Sequence, residues 1–259
     1  MKIDDIKIKK ILNKKINLIT YDEIDSTNNV CKEQGNLGDI NKLVISDYQT
    51  NGKGRLGRTF ISEKGKGIYM SLLIKPSIAL SDVSKITCVV GTSISKVLEK
   101  EIDRYVDIKW VNDIYLNNKK ICGILTESSI INNEIKYIVI GIGINLYHQV
   151  FPKDIVASSI EDETGLILDR ELLVASIINQ ILEDIENIND KSFVEFFRKR
   201  LYLKNKFVEL NIRNELFEGF ILDISDDFEL VVEIDKNKKL VNSGEIIKVK
   251  EKKYENSYN

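Results

Sequence analysis

Residues 52–58 read Gly52-Lys53-Gly54-Arg55-Leu56-Gly57-Arg58. Three glycines interleave with three cations. Glycine lets a ligand approach the backbone closely and accepts a positive φ. Exposed N–H groups beside Lys53, Arg55 and Arg58 would then cradle an anion. No Gly-Lys-Ser/Thr closes the run, so it is not a Walker A loop, and its glycine spacing is not that of a dinucleotide fingerprint. On the N-terminal side, residues 42–49 read as a strand leading into the loop. Before them, Asp25-Ser26-Thr27-Asn28 offers N-cap side chains for a helix over about 27–34. On the C-terminal side, residues 67–75 read as a strand closed by Pro76. Strands and helices thus interleave on both sides of the loop.

Composition narrows the function classes. The chain has 259 residues, 43% hydrophobic and 30% charged, enough for one large domain with or without a small one. A net charge of -2 and a pI near 5.7 leave no whole-surface basic field for nucleic acid. Cys31, Cys88 and Cys122 are widely spaced and His148 is the only histidine, which argues against a Cys/His zinc site. Spaced cysteines, no apolar signal core and no apolar run of bilayer length predict a soluble cytoplasmic protein.

Residues 4–13 read as a short helix or a leader, and 16–24 as a strand. Val83, Ile86, Val90, Ile94, Val97 and Leu98 recur at helical spacing and predict a helix over about 82–101. Strands follow at about 105–109, 113–117, 120–131 and 135–146, with turns at Asn117-Asn118 and Asn132-Asn133. Helices are expected over 170–187 and 191–203. After residue 204 the helical period disappears. Strands at 206–212, 215–224, 228–234 and 240–249 predict a small all-β unit. The chain thus divides into 1–203 and 204–259, with residues 251–259 as a polar, frayed tail.

Further stretches carry chemistry. Ile108-Lys109-Trp110-Val111-Asn112-Asp113 holds the only tryptophan. Lys119-Lys120-Ile121-Cys122-Gly123 offers a cation beside a strand glycine. Gly141-Ile142-Gly143-Ile144-Asn145 puts two glycines on one strand face, where a ligand can come close. Taken singly, each has a plain structural account: Trp110 as core, Lys119-Lys120 as a solvated turn, Asn112-Asp113 as a β-turn.

Taken together and in order, these motifs resemble the biotin protein ligase family. The order is Ser26-Thr27-Asn28, Gln49 ahead of the glycine run, Lys109 to Asp113, Lys120 to Leu125, and Gly141 to Asn145. The resemblance spans residues 20–147, and Ser243-Gly244-Glu245-Ile246 is similar to the family's C-terminal Gly-Glu-Ile. It implies an α+β fold, a class II synthetase-like mixed sheet with flanking helices, followed by an SH3-like barrel. It also implies joining of biotin to ATP, with Mg²⁺, to give biotinyl-5′-AMP, and transfer of biotin to a lysine of a carboxylase's biotin carboxyl carrier domain, such as that of acetyl-CoA carboxylase.

The same resemblance assigns roles. Lys120, Arg55 and Arg58 are the catalytic cations. Ser26, Thr27, Asn28, Gln49, Lys53, Gly54, Arg55, Lys120, Gly123, Gly141 and Gly143 line the biotin pocket. Arg55, Arg58, Phe60, Trp110, Asn112 and Asn145 serve the nucleotide, and Asp113 the Mg²⁺ on its phosphates. Segment 61–66 and the glycine loop are expected to close over the adenylate. Lys53, Val111, Phe60 and Tyr147 depart from the usual arginine, proline, tryptophan and asparagine. Some members carry an N-terminal helix-turn-helix. About 20 residues precede the core here, so a monofunctional ligase without operator binding is expected, monomeric or weakly dimeric, with strand 135–147 as the candidate edge. The alternatives are a lipoate/octanoate–protein ligase and a non-catalytic biotin or nucleotide sensor.

Overall fold

The computed structural model describes residues 3–250. The frayed-tail expectation for 251–259 lies outside the described residues. In chain order the first part runs α1 (Asp5–Ile11), β1 (Asn17–Tyr21), α2 (Thr27–Asn36), β2 (Lys42–Ser46), β3 (Gly67–Ile74), α3 (Ile86–Ile102), β4 (Asp107–Lys109), β5 (Asp113–Leu116), β6 (Lys119–Ile131), β7 (Glu134–Asn145), α4 (Ile160–Thr164), α5 (Arg170–Glu186) and α6 (Lys191–Lys199). The second part is β8 (Phe207–Ile212), β9 (Glu215–Ile224), β10 (Leu230–Ile234), β11 (Asn237–Val241) and β12 (Glu245–Lys250).

Local chemistry sets these limits. Asp4, Ser159, Asp169 and Asp190 cap α1, α4, α5 and α6, each accepting a backbone N–H of the first turn. Asn117-Asn118 and Asn132-Asn133 all have positive φ, the backbone that closes a tight hairpin and that asparagine tolerates. Arg213-Asn214 and Asp235-Lys236 make the same turn in the second part. The Trp110–Val111 peptide is cis.

The first seven strands form one mixed sheet in the order β1-β2-β3-β7-β6-β5-β4. Only β1 and β2 run parallel; the other neighbours are antiparallel. Side chains alternate across it. Ile68, Met70 and Leu72 of β3 and Ile138, Ile140, Ile142 and Ile144 of β7 enter the main core, where α3 and α5 pack together. On the opposite face α2 covers a smaller cluster of Cys31, Val44, Leu73, Tyr137 and Val139. The last five strands form an antiparallel sheet in the order β11-β10-β9-β8-β12, and its Val208, Leu210 and Ile221 join the main core.

Several expectations need correction. Residues 80–85 form 3-10 turns, and the α-helix starts at Ile86. The helix expected over 191–203 stops at Lys199, and Leu203 and Asn205 take positive φ. The strand expected at 240–249 is two strands split at 242–244, where a Cβ on Gly244 would stand 2.8 Å from Asn211 O. Helix α4 was not expected, because five residues carry too little period. Strand β7 is interior: residues 138–145 pair with β3 on one side and the strand pairs with β6 on the other. It therefore offers no free edge along that length.

Candidate active site

The site follows from strand alternation. On the α2 side of β7 the sequence reads Tyr137, Val139, Gly141, Gly143, and the large side chains give way to bare backbone. Gly123 pairs with Gly143 across β6, widening the gap. A Cβ at Gly141 would stand 2.1 Å from Asn28 Oδ1, and one at Gly143 would stand 2.5 Å from the Phe60 ring. A methyl at either position would have to displace the Asn28 amide or the Phe60 ring. The pocket over this floor is lined by Ser26, Thr27, Asn28, Gln49, Lys53, Gly54, Arg55, Phe60, Asn112, Lys120, Gly123, Gly141 and Gly143 among others. All are residues that the sequence singles out.

One wall is the first turn of α2. The Thr27 N–H, an orphan helix-end donor, is satisfied by Gln49 Oε1 at 2.9 Å, which also accepts from Thr27 Oγ1 at 3.1 Å. Gln49 Nε2 donates to Ser62 Oγ at 3.0 Å, so the Gln49 side chain is held at both ends. Ser26 is the N-cap residue, yet its side chain makes no cap bond, and the residue is 1% exposed at the pocket wall. Asn28 is held by Ser71 Oγ at 2.6 Å and by Glu127 Oε2 at 2.9 Å. Neither Ser71 nor Glu127 was singled out in the sequence. A polar residue within the apolar run 68–74, and a charge within β6, were the available signals.

The glycine run forms a small hairpin over the pocket. Lys53 and Thr59 bridge, Gly54 N–H donates to Arg58 O at 2.7 Å, and Phe60 N–H donates to Gly52 O at 2.9 Å. A Cβ on Gly52 would lie 2.5 Å from Phe60 O, and Gly57 has a φ of 75°. The expected amide cradle is corrected in part, since the N–H groups of residues 54, 58 and 60 satisfy the loop's own carbonyls. Arg55 donates to Asn112 Oδ1 at 3.1 Å and to Gly244 O at 3.2 Å. Lys53 donates to Asn29 Oδ1 at 2.5 Å. Arg58 points elsewhere, is largely exposed and pairs with Glu245.

The far wall comes from β5 and β6. A bulge at Ile114/Tyr115 sets Gly123 opposite Asp113 and Lys120 opposite Tyr115. Lys120 Nζ lies 2.7 Å from Asp113 Oδ1, and Asn112 Nδ2 bonds both Asp113 Oδ1 and Ile124 O. Beside them Lys109, which the motif includes without a role, is half-buried. Desolvation drives its ammonium below the usual lysine value, opposed by the charges of Asp113 and Glu245. Trp110 and Asn145 do not line the pocket. Trp110 is 2% exposed and donates from Nε1 to Phe228 O at 2.8 Å, locking the second sheet to the first. Asn145 Nδ2 donates to Ser158 O and Lys120 O, bracing the segment before α4 against β6.

Residues 21–145 match the model of the biotin/lipoate A/B protein ligase family. The chain is 32% identical over 241 residues to the bifunctional ligase/repressor BirA of Bacillus subtilis, covering 88% of this chain and 73% of that one. The chain belongs to the biotin/lipoate A/B protein ligase family. The Escherichia coli BirA is 29% identical over 230 residues, 86% of this chain and 71% of that protein. Among solved structures, the biotin protein ligase of Aquifex aeolicus in complex with biotin and ATP superposes with a TM-score of 0.73 at 28% identity, covering 89% of this chain and 97% of that one.

Every pocket-lining residue of this ligase falls inside the matched segment 21–145. Gly244 and Glu245 lie outside it and still hold Arg55 and Arg58. The second sheet of this family member therefore adjoins the pocket without lining it.

Proposed function

We propose that this ligase joins biotin to ATP and then passes the biotinyl group to one lysine of a biotin carboxyl carrier domain of a carboxylase. The observation that carries this reading is a pocket lined by the polar residues Ser26, Thr27, Asn28 and Gln49 together with three cations, Lys53, Arg55 and Lys120. Ser26, Thr27, Asn28 and Gln49 supply the donors and acceptors that a ureido ring needs. Glycines 123, 141 and 143 leave room for a bicyclic body.

In the first step a carboxylate oxygen of biotin attacks the α-phosphorus and pyrophosphate leaves. Two anions meet, so fixed positive charge is needed where charge develops. Lys120 is assigned to the biotin carboxylate and α-phosphate, Arg55 to the adenylate. Lys53 and Gly54 complete the biotin side, and Phe60 and Asn112 adjoin the nucleotide. In the second step the acceptor lysine amine attacks the acyl carbon and AMP leaves. Closure of the glycine loop and segment 61–66 would keep water from the mixed anhydride. Among the described residues no three His, Cys, Asp or Glu cluster as a metal cage. A lone Asp113 beside Lys120 suits a Mg²⁺ that arrives on ATP and keeps most of its waters.

We assign the pocket to a unit of residues 1–203 and the second sheet to a unit of 204–259. Among the described residues no helix is long and apolar enough to cross a membrane. The free, buried cysteines, with burial pushing the Cys31 thiol up to about 12, suit a reducing compartment such as the cytoplasm.

The test is biotin-dependent exchange of labelled pyrophosphate into ATP, with lipoate and octanoate in parallel. Exchange with biotin is expected. Exchange only with lipoate or octanoate would transfer the assignment to that branch of the family. Lys120→Ala should lower the exchange rate by about 100-fold or more; full activity would remove Lys120 from its role.

A further inference from the structure

We propose that Glu127 is a positioning residue whose carboxylate sets which end of the Asn28 amide meets the substrate. The proposal rests on the biotin reading above. Asn28 is 4% exposed and sits in the first turn of α2 against the pocket floor. Alternation along β6 puts Leu125 and Glu127 on that same face. Asn28 Nδ2 lies 2.9 Å from Glu127 Oε2 and 3.5 Å from Leu125 O. Both are acceptors, so the nitrogen end is turned toward β6. The oxygen end accepts from Ser71 Oγ at 2.6 Å and overlies Gly141. The carbonyl oxygen keeps a second lone pair for a ligand N–H.

Lys32 completes the device. It lies one turn further along α2 and pairs with the other oxygen of Glu127. An ammonium only donates, so Lys32 claims an acceptor and holds Glu127 between itself and Asn28. Ser26 Oγ, free of any cap bond, supplies a donor on the same wall. The pocket thus shows a donor at Ser26 and an acceptor at Asn28. A ureido group offers a C=O and two N–H groups to match them. A reversed Asn28 would set its N–H against a ligand N–H and lose that bond.

The two-residue chemistry gives a test that a merely structural role would not pass. In Glu127→Gln, Lys32 claims the new amide oxygen, the new amide nitrogen faces Asn28, and Asn28 is driven to reverse. In the double variant Glu127→Gln/Lys32→Ala the new amide is free to turn its oxygen to Asn28 Nδ2. Biotin and ATP binding would be measured separately by calorimetry on the full chain. We expect biotin affinity about tenfold or more weaker in Glu127→Gln, with ATP affinity unchanged. Lys32→Ala should stay within about threefold of the wild type, and the double variant should return to within about threefold of Lys32→Ala. Unaltered biotin affinity in Glu127→Gln, or a double variant as weak as the single one, would overturn the role of Glu127 alone. Wild-type protein that binds no biotin would overturn the substrate reading and this proposal with it.

Discussion

The guanidinium of Arg58 grips both carboxylate oxygens of Glu245, fastening the glycine-rich turn to the second sheet. Its neighbour Arg55 also reaches that sheet, through Gly244 O, but lines the pocket as Arg58 does not. The two arginines of one motif therefore have different partners. Arg55→Ala should lower pyrophosphate exchange by about 100-fold, and Arg58→Ala by less than about tenfold, since its pair is largely exposed. Steady-state exchange at saturating biotin decides this. Equal losses would mean that Arg58 leaves Glu245 for the phosphates during turnover.

Gly141→Ala should block the pocket without unfolding the chain. The added methyl would stand 2.1 Å from Asn28 Oδ1. Overpacking of this kind costs about 1–3 kcal/mol of stability, and relief of the clash by displacing the Asn28 amide removes one hydrogen bond to the ligand, about 1–1.5 kcal/mol or roughly five- to tenfold in affinity. Titration with biotin should show that loss, while circular dichroism stays as in the wild type. Undiminished binding would place the ligand away from this floor.

Arg170 and Asp47 form a buried ion pair at 2.8 Å, 6% and 4% exposed. Asp47→Ala leaves the guanidinium in the core with only part of its pairing, Glu171 remaining at 3.1 Å. Breaking such a pair costs about 3–5 kcal/mol, so the urea midpoint should fall clearly. Asp47 O also accepts the Gly65 N–H, a backbone bond that the variant keeps, so closure of segment 61–66 is tested separately, by trypsin cleavage of the wild-type chain at Lys64 and Lys66. Biotin with ATP should slow that cleavage if the segment closes over the adenylate, and equal rates would remove the lid.

Lys109 should make stability depend on alkaline pH. Its folded-state value lies below the usual lysine value, chiefly by desolvation. Between the folded and unfolded values the unfolded chain holds more protons. Stability contributed at this site therefore rises with pH across that window. Lys109→Met should remove the rise and be more stable than wild type below the window. Parallel urea titrations from pH 7 to pH 11 would show it. Parallel curves for the two proteins would mean that Lys109 keeps ordinary solvation.

Much of the fold was legible because period and turn chemistry are local. Apolar spacing located α3 and α5, and paired asparagines located the hairpins before β6 and β7. Short elements carried too little signal, as with α4 and the break at 242–244 between β11 and β12. The pocket's glycines were legible because a strand glycine has few other uses. Ser71 and Glu127 were not, since a serine or a glutamate in a strand reads the same whether it faces solvent, core or site.

The sequence by itself determined the order of elements, the family motifs and the residue types gathered round Gly141 and Gly143. Only the tertiary structure decided which motif residues converge. It turned Arg58 toward Glu245, tied the buried Trp110 to the Phe228 carbonyl, set Asn145 to brace the segment before α4, and placed β7 inside the sheet rather than at its edge. The physical reason is that neighbours along a chain fix φ, ψ and alternation, whereas the direction of a long side chain is fixed by the nearest charge or acceptor. Here those partners lie up to 189 residues away.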